Sequence, residues 1–157
     1  MNKSTGILSA EQRRFLDDLA TLLAGWNMPA AAARLYGYLL INNDPASLDD
    51  ISAALEISKS NASGAAKLLE QYGHCRKFGE PGTKRIFYAV RDDHGSPFRV
   101  RVRLLESLQH LMESRATLVS RGRGTARMKE VADFCDKMGA AMTEVIETHN
   151  RKVLSRK

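Results

Sequence analysis

Residues 47–73 read SLDDISAALEISKSNASGAAKLLEQYG, and this stretch decides the fold. Ser47 puts a hydroxyl ahead of an apolar series (Leu48, Ile51, Ala54, Leu55), with Asp50 three positions on. That is how a helix start is capped: the side chains accept backbone N–H groups that have no partner in the first turn. Eleven residues later Ser58 repeats the signal, and the helix it opens reaches Tyr72-Gly73. Two caps this close leave room for a short helix, a tight turn and a second helix. The stretch predicts a helix-turn-helix whose second helix opens Lys59-Ser60-Asn61-Ala62-Ser63.

Downstream the period changes. His74 to Phe78 and Ile86 to Val90 are rich in β-formers, and Glu80-Pro81-Gly82-Thr83 supplies turn chemistry between them. A β-hairpin directly after a helix-turn-helix is a wing. Upstream, Ser9 and Gln12 form a capping box for a helix carrying Phe15, Leu16, Leu19, Leu22, Leu23 and Trp26 at helical spacing. Asn27-Met28-Pro29 breaks it, and a second helix runs through Leu35, Leu39 and Leu40 to the turn Asn42-Asn43-Asp44-Pro45.

After the linker Asp92-Asp93-His94-Gly95, Ser96-Pro97 reads as N-cap and first residue of a long helix. Its face is Phe98, Val102, Leu105, Leu108 and Met112. Arg99 to Arg103 alternates as a strand would, but the leucines beyond it continue at helical spacing. Arg121-Gly122-Arg123-Gly124 interrupts the chain. The last helix then carries Met128, Val131, Cys135, Met138, Met142 and Val145, a 3-4-3-4-3 series. This seam packs either on the chain's own first helix or across a dimer axis. Dimerisation is the expectation, because helices flanking a small winged domain have little core of their own to cover. The layout is an N-terminal dimerisation helix (1–28), a winged helix-turn-helix domain (29–93) and a C-terminal helical region for dimerisation or sensing (94–157). The fold class is mainly α, a three-helix core plus a β-hairpin wing.

Charge points the same way. The chain has 157 residues and a net charge of +6, unevenly spread. Residues 1–57 hold four basic against seven acidic groups; residues 58–91 hold seven basic against two acidic. The helix-turn-helix and wing therefore carry a cationic face suited to a polyanion. Duplex DNA asks for cations at its phosphates and for short polar side chains at a helix N-terminus that enters the major groove. Ser58, Lys59, Ser60, Asn61 and Ser63 supply the latter, and Asn61 is able to bond adenine at two atoms. Lys67 lies one turn on, within reach of a phosphate. Lys84 and Arg85 sit at the wing tip, Arg76 and Lys77 at its base. Ala62, Ala66 and Leu69 are expected to face the three-helix core.

Longer runs give these residues a family likeness. Met28-Pro29, Ala33 to Leu40, Ser47 to Ile51, Ile57 to Ser63, Leu69 to Gly73 and the Pro81 to Arg85 wing resemble the GbsR-type branch of the MarR-like winged-helix regulators. The likeness is strong over roughly residues 25–91 and weaker through the helical tail. It implies a homodimeric transcriptional regulator, often a repressor, on a pseudo-palindromic operator; some relatives govern osmoprotectant genes. Gly64 and Ala66 depart from the pattern, standing where larger residues are usual, and are expected either to loosen the reading helix or to alter its site preference.

Other chemistry is thin. Trp26, Tyr36 and Tyr38 are the candidates for an aromatic cage around a small-molecule effector of choline type. The four histidines are isolated from one another, so no metal or other cofactor is expected. Cys75 and Cys135 are too few and too far apart for a disulfide framework. No P-loop, nucleophile elbow, dinucleotide fingerprint or zinc-protease motif occurs, so no enzyme is expected. The start lacks an apolar leader and no run approaches a membrane span, which suggests a cytoplasmic protein. The rival readings are a winged helix that docks proteins without reading DNA, and an RNA binder.

Overall fold

The computed structural model describes residues 7–118 and 121–155. In chain order its elements are α1 (Ala10–Ala24), α2 (Ala30–Ile41), β1 (Ala46–Ser47), α3 (Leu48–Leu55), α4 (Lys59–Gln71), β2 (Cys75–Gly79), β3 (Ile86–Val90), α5 (Ser96–Arg115) and α6 (Arg123–Leu154). A single 3-10 turn, Ala116–Leu118, follows α5. The chain divides into two compact units, Met1–Arg91 and Asp92–Lys157.

In the first unit the serine caps do what their spacing implies. Ser9 Oγ accepts the Gln12 N–H at 3.1 Å while Gln12 Oε1 accepts the Ser9 N–H at 2.8 Å. Ser47 and Asp50 make the same exchange at the head of α3, at 3.2 and 2.9 Å. Ser58 Oγ accepts the Asn61 N–H at 3.1 Å and starts α4. Each such cap contributes about 1 kcal/mol. The tight turn between α3 and α4 bends through Glu56, held in the left-handed region at φ 55°.

The core lies between these helices. Leu16, Leu35, Ile51 and Leu69 are fully buried, with Ala32, Ala62, Ala66 and Cys75 among them. Ala66 is closely packed, so its small size belongs to helix packing rather than to a loosened reader. At Gly37 a Cβ would stand 2.6 Å from Leu16 Cδ2, which is how closely α1 lies on α2. Helix α1, expected as a dimerisation element, thus contributes to the core of the winged unit.

The sheet is antiparallel in the order β1-β3-β2. The hairpin pairs Cys75 with Val90 and Gly79 with Ile86. Strand β1 is not foreseen from sequence. Its two residues pair Ala46 with Tyr88 and Ser47 with Phe87, tying the wing to the start of α3.

The second unit is the helix pair α5–α6. Ser96, expected as the N-cap of α5, is instead its first helical residue, and Gly95 takes the cap position. Two contacts put the cap at Gly95. Asp93 Oδ1 accepts the Gly95 N–H at 3.0 Å, and a Cβ at Gly95 would lie 2.6 Å from Ile146 Cγ2. The heptad series on α6 divides between two stripes. Ala132, Cys135, Gly139 and Ile146 are buried, with Met128 and Met142 half-buried beside them. Val131 (41% exposed), Phe134 (61%), Met138 (40%) and Val145 (69%) form a second stripe open to solvent. Among the described residues no helix is long and apolar enough to cross a membrane.

Candidate nucleic-acid interface

Helix α4 buries one face and offers the other. Ala62, Ala65, Ala66 and Leu69 are buried, while Ser60, Gly64, Lys67 and Gln71 are exposed. The exposed positions recur at four, three and four residues, which places them in one line along the helix. Lys59 and Asn61 flank the line at its N-terminal end, exposed, and Ser63 is half-buried beside it. A Cβ at Gly64 would meet nothing within 4 Å, so packing does not require the glycine. The stripe is a polar surface of about three turns with no large apolar side chain on it. Gln71 belongs to it and escaped the sequence reading; continuing the 60-64-67 spacing by four would have found it.

The wing supplies cations in a fixed frame. Glu80 to Thr83 close a turn, with Thr83 N–H donating to Glu80 O at 3.1 Å. Gly82 stands at φ +79°, the third-position conformation of a type II turn, and Pro81 precedes it. The Thr83 hydroxyl then accepts the Arg85 N–H at 3.2 Å. Lys84 and Arg85 leave this turn exposed. On the face of β2 opposite Cys75, the Arg76 guanidinium lies 5.3 Å from the Phe78 ring centroid. Phe78 itself stacks on Phe87 with centroids 6.3 Å apart. The ring holds Arg76 by cation–π attraction and limits where it points.

The face is less positive than its sequence segment suggests. Lys59 Nζ lies 2.5 Å from Asp49 Oδ1, and Lys77 Nζ lies 3.5 Å from Glu70 Oε2. Asp49, Asp50, Lys84 and Arg85 line one cleft of about 420 Å³, together with Ser47 and Phe87. Two carboxylates of α3 therefore border the wing cations. These acids lie outside the basic segment in sequence and join it only through the fold.

The expected aromatic cage is dispersed. Tyr36 and Tyr38 leave α2 roughly 200° apart and so cannot face each other. Tyr38 is buried in the core, and burial, then Asp50, pushes its hydroxyl pKa up, with Asn42 opposing. Tyr36 packs its ring on His74, centroids 4.8 Å apart. Trp26 is 55% exposed beyond the end of α1. A different apolar cavity, of about 390 Å³, lies within the second unit and is lined by Phe98, Met142, Val145 and Ile146 together with His94 and His149. Cys75 is buried, its thiol pushed up to about 11 by burial and by Glu70, against the opposing pull of Arg91. Among the described residues no group of three or more metal-ligating side chains is gathered.

No protein-family model matches the chain. It is 24% identical over 92 residues to YvaV of Bacillus subtilis (strain 168), named as an HTH-type transcriptional regulator. That match takes in 59% of this chain and 52% of YvaV, so the chain spans about half of that relative. Over 142 residues it is 22% identical to the HTH-type transcriptional regulator MmpR5 of Mycobacterium tuberculosis, covering 88% of this chain and 86% of the relative. The crystal structure of a transcriptional regulator superposes with a TM-score of 0.78 at 21% identity, covering 90% of this chain and 99% of that one. The fold is shared along nearly the whole of that protein.

Proposed function

We propose that this chain is a sequence-specific transcriptional regulator of the MarR-like winged-helix type, binding double-stranded DNA as a homodimer. The observation that carries the reading is the exposed line Ser60-Gly64-Lys67-Gln71, with Asn61 at its head and Lys84 and Arg85 on an ordered wing of the same unit. The names of the relatives and the fold shared with a solved transcriptional regulator support it.

In this reading α4 enters the major groove by its N-terminal end. Asn61 bonds adenine through its amide, donating to one ring-edge atom and accepting at another; Ser60 and Ser63 reach neighbouring edges or phosphates. Lys67 meets the backbone. The wing lays Arg85 and Lys84 along the flanking strand or into the minor groove. Arg76, braced by Phe78, extends the contact at the wing base. Gly64 lets the helix backbone approach without a side chain between.

The exposed stripe Val131-Phe134-Met138-Val145 supports the dimer, since a second copy would remove these apolar surfaces from water. Two-fold pairing would present two reading helices to a pseudo-palindromic operator with half-sites about one helical turn apart. The GbsR-type likeness makes repression the favoured mode. The cavity against Phe98 and Ile146 suits a small apolar effector of about 390 Å³ or less better than the dispersed aromatics do. A chromosomal regulator of this kind works in the cytoplasm.

Selection of bound duplexes from a random pool tests the reading. A defined motif is expected, and Asn61→Ala should change the base preference at one position. Arg85→Ala should weaken binding to all duplexes and reduce the salt slope by about 0.9 if it neutralises one phosphate. Sedimentation should show a dimer that Phe134→Glu or Val145→Glu dissociates. Salt-resistant capture of a protein with no duplex affinity would replace the reading with that of a docking module.

A further inference from the structure

We propose that the tip of the α5–α6 hairpin is a second polynucleotide surface, which takes the phosphate backbone of duplex DNA apart from the winged unit. Between Ser114 and Lys129 the chain holds Arg115, Arg121, Arg123, Arg127 and Lys129, and no Asp or Glu. All five are exposed. No ion pair among the described residues engages any of them. Further along α6 the pattern reverts to ordinary surface chemistry, with Lys137 2.6 Å from Asp133.

Local electrostatics make this concentration unfavourable in isolation. The first turn of α6 has no acidic residue and no side-chain cap. A helix start bears partial positive charge, and here it carries further cations. Arg123 and Arg127 are four apart, so two like charges share one face. An anion relieves all of these repulsions together.

The chemistry selects phosphate over protein. Four of the five cations are arginines, whose planar forks match pairs of phosphate oxygens. Gly122, exposed between Arg121 and Arg123, puts no side chain between the two guanidinium groups. Leu118 is the one large exposed apolar side chain among the described tip residues, and none of these is aromatic. A protein partner needs buried anchors of that kind, whereas a nucleic-acid backbone needs only charge and fit. Helix α5 has 20 residues, so the tip stands about 30 Å along it from Ser96. It is therefore a surface of the second unit, at the far end of α5 from Ser96.

The proposal adds to the winged-helix reading without depending on it, and four forms of the full chain separate the two. These are wild type, a tip variant (R121S/R123S/R127S), a wing variant (N61A/K84A/R85A) and their combination. Each is titrated with a short labelled random-sequence duplex between about 50 and 200 mM salt. Circular dichroism establishes that each form is folded. The wing variant is expected to retain salt-steep binding, and adding the tip changes should abolish it. Loss of three phosphate contacts flattens the log–log salt slope by about 2.7, which is about 40-fold over that fourfold range. Arginine-to-lysine changes at the same three positions should keep the slope and weaken affinity severalfold.

Tip substitutions that leave slope and affinity unchanged in both backgrounds overturn the proposal. So does displacement of the duplex from the wing variant by polyglutamate as readily as by unlabelled duplex, which would mark an acidic-protein site. A wing variant that binds like wild type would count against the winged reading, leaving the tip to be judged by its own arm.

Discussion

Gly64→Ala separates what the reading helix needs to fold from what it needs to bind. Gly64 is the sixth of the thirteen residues of α4, is exposed, and has open space where a Cβ would go. The added methyl meets no neighbour, so the stability change reduces to helix propensity, about 1 kcal/mol in favour of alanine. For a unit of this size that corresponds to a rise in Tm of roughly 4–8 °C. Urea titration followed by far-UV circular dichroism should show a higher midpoint with an unchanged slope. Duplex affinity should move the other way, because the methyl stands in the middle of the exposed line and holds the helix backbone off the groove. Opposite signs are the signature of a residue kept small for its partner. A variant no more stable than wild type would refute the account of an open site at Gly64. A stabilised variant with undiminished affinity would refute the close approach.

Three further outcomes follow from particular contacts. Asp49→Asn frees Lys59 and removes a carboxylate from the cleft beside Lys84 and Arg85; duplex affinity by fluorescence anisotropy at low salt should rise by about 0.2–1 kcal/mol, as for an exposed pair. Gly95→Ala drives a Cβ against Ile146 and should destabilise the second unit by about 1–3 kcal/mol, with Ile146→Ala in the same chain recovering part of the loss in thermal melts. The Cys75 thiol is raised from 9.0 to about 11 in the folded chain, so between those values the folded state keeps a proton that the unfolded state releases. Stability should fall as pH rises through this window, by up to about 2.7 kcal/mol. Cys75→Ser should make urea midpoints fall less steeply there. Burial also raises Tyr36, Tyr38 and Tyr88, which keep a residual slope of the same sign.

Local chemistry was legible wherever one residue satisfies its neighbour three positions away. Ser9, Ser47 and Ser58 cap helices because the groups they satisfy are set by chain spacing alone, and the Pro81-Gly82 turn is of the same kind. The apolar face of α4 was legible too, since Ala62, Ala66 and Leu69 recur at the helical period. What escaped depends on residues distant in sequence. Strand β1 has only two residues and exists because β3 lies beside it. The cap of α5 falls on Gly95 because Ile146, fifty-one positions away, leaves no room for a side chain. Periodicity gave the α6 seam as one line, but 3-4 spacing cannot say which of two adjacent stripes a neighbouring helix will cover. For the same reason the +5 of residues 58–91 overstated the interface. Asp49 and Asp50 precede that segment and return to it in three dimensions.

Ser47 does three things at once. Its backbone pairs with Phe87 of the wing, its hydroxyl accepts the Asp50 N–H, and its own N–H donates to the Asp50 carboxylate. The wing is therefore tied at this residue to the start of α3. A displacement of β3 at Phe87 would act on the residue that caps α3, and α3 is followed by the turn that leads into α4. If α4 and the wing bind duplex as proposed, Ser47 is the hinge they share, and a contact made by one would be coupled to the other through it.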